Sequence, residues 1–463
     1  MKKKPNIVFF FTDDQRFDTI HGLGNDEIIT PNLDKLVEKG TVFTQGHIPC
    51  GTSGAVCMPS RAMLHSGRTL FHLEGEGQNI PKEHVTIGET LQKYGYRTFG
   101  TGKWHNGTDS YARSFTDGAE IMFGGMADHW NVPVCDFDPS GKYDNRAKVT
   151  MDPFSNNRCY QRNVDHINFG KHSSELFCDA AIDFINNYDD DKAFFTYISF
   201  MAPHDPRTMP ERFLKMYDED KISIPKNFKS EHEFDFGVRP ERDETLAPYP
   251  RTEAVVKRHI TEYYAMITHL DYEIGRVIKS LEENGYAEDT IIILAGDNGL
   301  ALGQHGLFGK QNNYEHSIRV PLMFAGTGIP KNEKRENYAY LLDIYPTICD
   351  MIGIPIPSSV DGKSLLDSIK DESVNTRETL YFAFTHLIRS VKNDQYKLIE
   401  YRNDNLKRTQ LFDIKNDPWE MNDLSEKNEY KEIIEGLKEE LFKCRDEWDD
   451  TKHPLGEKYW SKY

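Results

Sequence analysis

Two pairs of residues in this 463-residue sequence have the types and placement to hold a cation. Asp13 and Asp14 end the apolar run NIVFFFT, and Asp297 and Asn298 follow IIILAG. Adjacent carboxylates repel one another unless a cation lies between them, and all-oxygen ligand sets suit hard ions such as Ca²⁺ or Mg²⁺. Each pair taken alone fits a turn or a helix cap equally well. Two pairs in matching positions behind strands favour the cation, because doubly wound sheets bind ligands at the carboxyl ends of their strands.

A third segment, CMPSRAMLHSGR at 57–68, suits an anion. Pro59 near the start of a predicted helix leaves Cys57 at its N-terminus, where free N–H groups and the helix dipole attract negative charge. Arg61, four residues on, lies one turn away and faces the same group. A cysteine phosphatase needs arginine at the sixth residue after its cysteine, where this chain has Met63. The plain thiolate nucleophile therefore loses its support, and spacing alone leaves Cys57 open to reading as an inert core thiol.

These residues need a scaffold of strands and covering helices. Short apolar runs at Asn6–Phe11, Arg97–Gly100, Ala193–Phe200, Thr290–Ala295 and Pro321–Ala325 alternate with helical stretches. That alternation predicts an α/β fold with a large, mostly parallel sheet flanked by helices. Thr30 and Pro31 open the helix PNLDKLVEK, with Gly40 past its end, and Glu253 to Asn284 carries apolar residues at helical spacing. The stretches 124–168 and 206–251 lack periodicity and read as long excursions, which in compact domains are usually functional. After Pro355 to Gly362 the pattern changes to the strand-like YFAFTH, YKLIEY and TQLFDI, followed by an amphipathic helix from about Glu429. The expected division is a catalytic domain over 1–360 and a smaller C-terminal α+β domain with an antiparallel sheet over 361–463.

Composition narrows the function classes. A formal net charge of −18 argues against nucleic acid or an anionic membrane surface as partner, so an anionic substrate needs local cations. Seven scattered cysteines without a C-x-x-C pair argue against a disulfide scaffold or structural zinc. The apolar run after MKKK is too short for a signal-peptide core and no membrane helix is legible. A cytoplasmic location is expected, or a periplasmic or secreted one if a leader has been removed.

C-x-P-S-R followed by S-G-R resembles the signature of the type I, cysteine-type sulfatases of the alkaline phosphatase-like superfamily. PNIVFFFTDDQR, TGKWH, MAPHDP, AGDNG and HGLFGKQNNYE resemble the family's other motifs in the expected order. SVDGKSLL, KLIEYRN and QLFDIKNDPWEMNDL are similar to its C-terminal part, less sharply, and His65 stands where members often carry an apolar residue.

The resemblance implies a sulfuric ester hydrolase in which a maturating enzyme of the host oxidises Cys57 to formylglycine, whose hydrate attacks sulfur. It implies one divalent cation, usually calcium, held by Asp13, Asp14, Asp297, Asn298 and modified Cys57. Lys310 and Lys103 would bind the sulfate oxygens, Arg61 would position the hydrated aldehyde, His204 would protonate the leaving alcohol and His105 would deprotonate the second hydroxyl. His305 would assist at the leaving group. Away from the motifs, His129 and Trp130 in the first excursion, Arg207, and His386 and Arg389 in the C-terminal domain are candidates for binding a sulfated carbohydrate. The alternative reading is a phosphate or phosphonate monoester hydrolase of the same superfamily.

Overall fold

The computed structural model describes residues 4–150 and 158–463, so 151–157, within the first excursion, and the basic start at 1–3 lie outside the described residues. Eight strands build the main sheet: β1 (Asn6–Thr12), β2 (Gly40–His47), β3 (Arg97–Lys103), β4 (Asp117–Met122), β5 (Phe194–Ser199), β6 (Thr290–Gly296), β7 (Leu322–Gly326) and β8 (Glu333–Tyr340). Their spatial order is β8-β2-β7-β6-β1-β5-β3-β4, and only β7 runs against the rest.

Strand β1 is buried along its whole length. Its alternating side chains feed two cores, as a period of two requires. Ile7, Phe9 and Phe11 join a cluster with Met63 and Leu64 of helix α2, which spans Cys57–Ser66. Val8 and Phe10 point into a second cluster, with Leu176 and Phe177 of α3 (Ser173–Asn186) and Met266 and Leu270 of α4 (Glu253–Glu283). Helices therefore cover both faces, and the continuous apolar run of β1 is what a two-sided parallel strand needs. α1, over Pro31–Lys39, packs at the same face as α4: Asp271 accepts from the Asn32 and Leu33 amides at its N-terminus.

The excursion read as irregular contains two antiparallel ribbons, Asn131–Val134 with His166–Phe169 and Arg146–Thr150 with Cys159–Asn163. Strands of four and five residues rich in polar types are too short to leave a period in the sequence. β2, β4 and β8 were likewise not among the strands expected from apolar runs; β8 reads EKRENYAY, half polar.

Strands β9 (Leu380–Phe384), β10 (Ile388–Lys392), β11 (Tyr396–Arg402) and β12 (Lys407–Asp413) form an antiparallel second sheet, crossed by α5 (Lys431–Glu447). Its fifth strand is Cys50–Gly51, which pairs in parallel with β9. The small sheet thus draws on the segment that leads into α2. Among the described residues no helix is long and apolar enough to cross a membrane.

A buried ion pair locks this second layer. Asp450 accepts from Arg389 Nε at 2.6 Å and Nη2 at 2.9 Å, from the Tyr381 hydroxyl at 2.6 Å and from Trp460 Nε1 at 2.7 Å. Asp450→Ala strands the Arg389 guanidinium in the interior, an error that costs about 3–5 kcal/mol. Thermal unfolding should move down by several degrees; an unmoved transition would show that Arg389 finds other partners.

Candidate active site

Most motif residues sit at or just beyond the carboxyl end of a sheet strand or on the helix that faces those ends, while His305 and Lys310 lie on the long loop that follows β6. β1 delivers Asp13 and Asp14, β6 delivers Asp297 and Asn298, β3 ends in Lys103 with His105 two residues on, and β5 leads to His204. The turn after β1 is pinned on three sides. The Asp13 amide donates to Ala202 O at 3.0 Å, the Asp14 amide to Asp297 Oδ1 at 3.0 Å, and Tyr263 of α4 donates its hydroxyl to Asp14 O at 2.6 Å. Asp14 takes a left-handed backbone conformation (φ 63°), which aspartate tolerates better than most residues.

Helix α2 is buried at every position. Gly67 ends it in the left-handed region (φ 66°), and a side chain there would run into Val360, so the glycine of S-G-R serves both backbone and packing. Ser60 donates to Asp297 O at 2.6 Å, tying the helix to β6. Arg61, fully buried, donates from Nε to Asp297 Oδ2 at 2.9 Å, from Nη2 to Asp13 Oδ2 at 3.1 Å and from Nη1 to Lys103 O at 3.1 Å. Burial opposes the guanidinium's charge, but Asp297 and Asp13 outweigh it and keep Arg61 protonated. His65, the departure from the motif, fills a slot between Trp104 and Tyr197 at ring distances of 4.2 and 4.7 Å; burial pushes it down to about 3, so it packs as a neutral aromatic ring.

Cys57 lies among cations and an imidazole. Its Sγ is 3.6 Å from Lys103 Nζ and 3.6 Å from His105 Nδ1. Burial raises the thiol above its ordinary value despite Lys103 and Lys310, so the sulfur at this position is a poor thiolate. His105 holds φ 71°, a strained value for a non-glycine residue, and Gly125 leaves room for its ring: a Cβ at 125 would stand 2.8 Å from Nε2. Burial first, then Lys103 and Arg61, keep its imidazole neutral.

The acidic groups carry opposite perturbations. Burial tends to raise Asp13, but Lys103 and Arg61 overcome it and hold the carboxyl well below its usual range. Asp297 is raised to about 6 by burial and by the charge of Asp13, against Arg61. Lys310 donates to Asp14 Oδ1 at 2.6 Å, as does Asn298 Nδ2 at 2.6 Å. Among the described residues nothing donates to the buried oxygens Asp13 Oδ1 and Asn298 Oδ1. Ligand atoms of Asp13, Asp14 and His204 lie within 4.8 Å of one another, and so do those of Asp13, Cys57 and Asp297. Bare oxygens from carboxylates and an amide, converging in a dry site, fit a hard divalent cation.

His204 Nδ1 donates to Asp205 O at 2.8 Å, which leaves Nε2 facing Asp14 Oδ2 at 3.7 Å. Above this cluster lies a cavity of about 330 Å³, lined by Cys57, His105, His204 and Lys310 and walled by Ser53, Gly54, Met126, Glu241, Arg242, Asp243 and Gln311.

None of the residues proposed from outside the motifs lines that cavity, and all but His386 are engaged by neighbours elsewhere. His129 is fully buried beneath it: Nε2 donates to His204 O at 3.0 Å and Nδ1 accepts from Ser173, so it braces the backbone at His204. Trp130 packs edge-on against His172. Arg207 contacts His259 Nδ1 at 2.8 Å and lies over Tyr263. Arg389 is spent on Asp450, and His386 lies on the same C-terminal layer near Lys458 and Lys462. His305, though within a motif, stacks on Tyr314 at 4.0 Å and meets Asn227 at 3.1 Å, buried away from Cys57. The wall residues Glu241, Arg242 and Asp243 come from the second excursion, whose length is their only signal in the sequence.

The geometry has close parallels. The Sulfatase family model matches residues 5–354, and the model for the C-terminal part of N-sulphoglucosamine sulphohydrolase matches 303–447. A sulfatase of Formosa agariphila is 28% identical over 96% of this chain and 88% of its own. An N-acetylglucosamine-6-O-sulfatase of Bacteroides thetaiotaomicron is 25% identical over 98% and 89%. Among solved structures, an enzyme in complex with its substrate D-glucosamine-2-N,6-O-disulfate has a TM-score of 0.74 at 22% identity, covering 97% and 99%. The phosphonate monoester hydrolase of Agrobacterium radiobacter has the same score at 18% identity, covering 96% and 96%, so the fold alone does not separate the two chemistries. With the family model spanning the strands, the acidic turns and the helix that carry the site, the chain belongs to the sulfatase family and is a sulfuric ester hydrolase.

Proposed function

We propose that the protein hydrolyses a sulfate ester of a sulfated carbohydrate, with position 57 as nucleophile after oxidation of Cys57 to formylglycine by a maturation enzyme of the host, and with Ca²⁺ held by Asp13, Asp14, Asp297, Asn298 and the modified side chain at position 57. The observation that carries this reading is the seat of Cys57: one buried side chain in contact with Lys103 and His105, against three carboxylates and three fixed cations. Asp13, Asp14 and Asp297 balance Arg61, Lys103 and Lys310 in formal charge, so a divalent cation makes the site net positive and fit for an anionic ester.

A hydrated aldehyde at position 57 supplies one hydroxyl for attack on sulfur and a second whose deprotonation expels sulfate. The chain's own groups supply the rest. Lys103 and Lys310 hold ester oxygens by charge, from positions set by Asp13 and Asp14. Fixed cations of this kind stabilise developing charge without reorganising. His105, kept neutral by burial, accepts a proton from the position-57 hydroxyl through Nδ1. His204 carries a proton on Nε2 to the departing alcohol, its ring oriented by the Nδ1 hydrogen bond to Asp205 O. The wall of Ser53, Glu241, Arg242, Asp243 and Gln311 is polar enough to meet sugar hydroxyls.

Relatives named as N-acetylglucosamine-6-O-sulfatase and ulvan-active sulfatase support a carbohydrate over a phosphonate substrate. Matured protein tested on defined sulfated mono- and disaccharides, an aryl phosphate and a phosphonate monoester decides between them: faster turnover of the phosphorus esters would overturn this reading. His105→Ala should lower kcat by about 10²–10⁴-fold, the worth of a positioned base. Unchanged kcat in steady-state assays would remove His105 from the mechanism.

A further inference from the structure

Glu241 carries a charge that the protein itself does not compensate. Its side chain is half-buried in the wall of the cavity above Cys57. Among the described residues no cation or hydrogen-bond donor meets its carboxylate, while burial first, then Asp243 and Glu244, disfavour its ionised form. Arg242, next in sequence, is committed elsewhere: its Nη1 donates to Asp205 Oδ1 at 2.7 Å and to Asp243 Oδ1 at 3.2 Å, and its Nη2 pairs with Asp205 Oδ2. Lys310 is committed to Asp14.

The carboxylate is also held close to the chemistry. Glu241 Oε2 lies 2.7 Å from the place a Cβ on Gly54 would take, so it rests on the backbone three residues before Cys57. Gln311 ties that backbone to the catalytic lysine, donating from Nε2 to Gly54 O at 2.9 Å and accepting through Oε1 from the Lys310 amide at 2.9 Å. An ionised carboxylate only accepts hydrogen bonds, so a donor on a bound ligand can replace the water that reaches this one. A cavity built to receive an anion has little reason to carry an unpaired negative wall unless the ligand brings the missing donor.

We infer that Glu241 is a specificity-determining residue that accepts hydrogen bonds from an unmodified hydroxyl or ammonium group beside the sulfate-bearing carbon of the sugar. The inference rests on the carbohydrate reading above and deepens it: the substrate carries a donor next to its sulfate ester, and a neighbouring second sulfate or carboxylate is repelled. Apolar aryl sulfates leave Glu241 unsatisfied.

Matured wild type, E241A and E241Q are compared on a monosulfated hexose, its 2-amino counterpart, the hexose O-methylated beside the sulfate, a doubly sulfated hexose and 4-nitrophenyl sulfate, with thermal melts to verify folding. E241A should lower kcat/KM for the monosulfated sugars about 10- to 100-fold more than for the aryl ester, chiefly through KM, the scale of hydrogen bonds to a charged group. E241Q should recover part of the loss on the hydroxyl sugar, none on the amino sugar, and should narrow the discrimination against the doubly sulfated one. Methylation should cost wild type as much as E241A costs the parent sugar if a hydroxyl is the donor; a larger loss on the amino sugar identifies ammonium. Equal losses on sugars and aryl ester would overturn the assignment and leave the carbohydrate reading standing. Aryl sulfate turnover with no sugar hydrolysed by wild type would overturn that reading and this one with it.

Discussion

Cys57→Ala is expected to abolish turnover, by on the order of 10⁴-fold or more, because losing a covalent nucleophile leaves only binding and electrostatics to act. The fold should survive. Cys57 is a small buried side chain at the first turn of α2, and alanine keeps the helix, its caps and the Arg61 ion pairs. The thermal transition should therefore move by no more than a few degrees while initial rates on an aryl sulfate fall to background. Mass spectrometry of active protein from a host that matures such cysteines should show an aldehyde in place of the thiol. The proposal for position 57 fails if active material still carries sulfur there, or if the alanine variant keeps more than a trace of activity. The raised pKa of the unmodified thiol makes the same point from another side: a plain cysteine here is a weak nucleophile at neutral pH.

Asp297→Ala should remove both metal and activity. Asp297 faces two partners at once, with Oδ1 accepting from the Asp14 amide and Oδ2 from Arg61 Nε. Its loss takes a carboxylate from the proposed cation shell, unpins the β1 turn that aims Asp14, and leaves Arg61 with Asp13 as its one remaining carboxylate. Leaving a buried guanidinium half-paired costs about 3–5 kcal/mol where relaxation is blocked. We expect turnover to drop by about 10³-fold or more, in line with removal of a group that stabilises transition-state charge, and elemental analysis to return background metal. Asp297→Asn, which keeps the shape and one acceptor oxygen, should restore much of the thermal stability and little of the activity. Chelation of the wild-type protein should silence it, with recovery on adding Ca²⁺. Full metal occupancy in the alanine variant would refute the ligand assignment.

The acidic pairs and Cys57 were legible because they stand at strand ends and a helix start, where local rules are strong; Lys103, His105, His204, His305 and Lys310 were singled out by the family resemblance. An all-apolar run such as NIVFFFT buries itself as a central strand whatever surrounds it, and the charged residues that stop the run land at its carboxyl edge. A proline two residues after a cysteine marks a helix N-terminus by the same local logic. β2, β4, β8 and the ribbons of the first excursion were not legible, because they are short or carry many polar residues and show no apolar period.

Side-chain partnership was the larger blind spot. Arg389, His305 and His129 have the right chemistry for a binding site, and all three are consumed by neighbours: Asp450, Tyr314 with Asn227, and the His204 carbonyl. No spacing rule reveals that a charge or an imidazole is already satisfied, since satisfaction depends on atoms brought together by the whole fold. Glu241 is the converse case, an ordinary glutamate in an irregular stretch that becomes informative only when its neighbours are seen to be spent. The α/β class, the acidic turns and the helix that seats position 57 could be read from the chain alone, since they follow from patterns within a few residues. Tertiary structure alone decided which polar groups remain free to meet a substrate, because that freedom is a property of packing between distant segments.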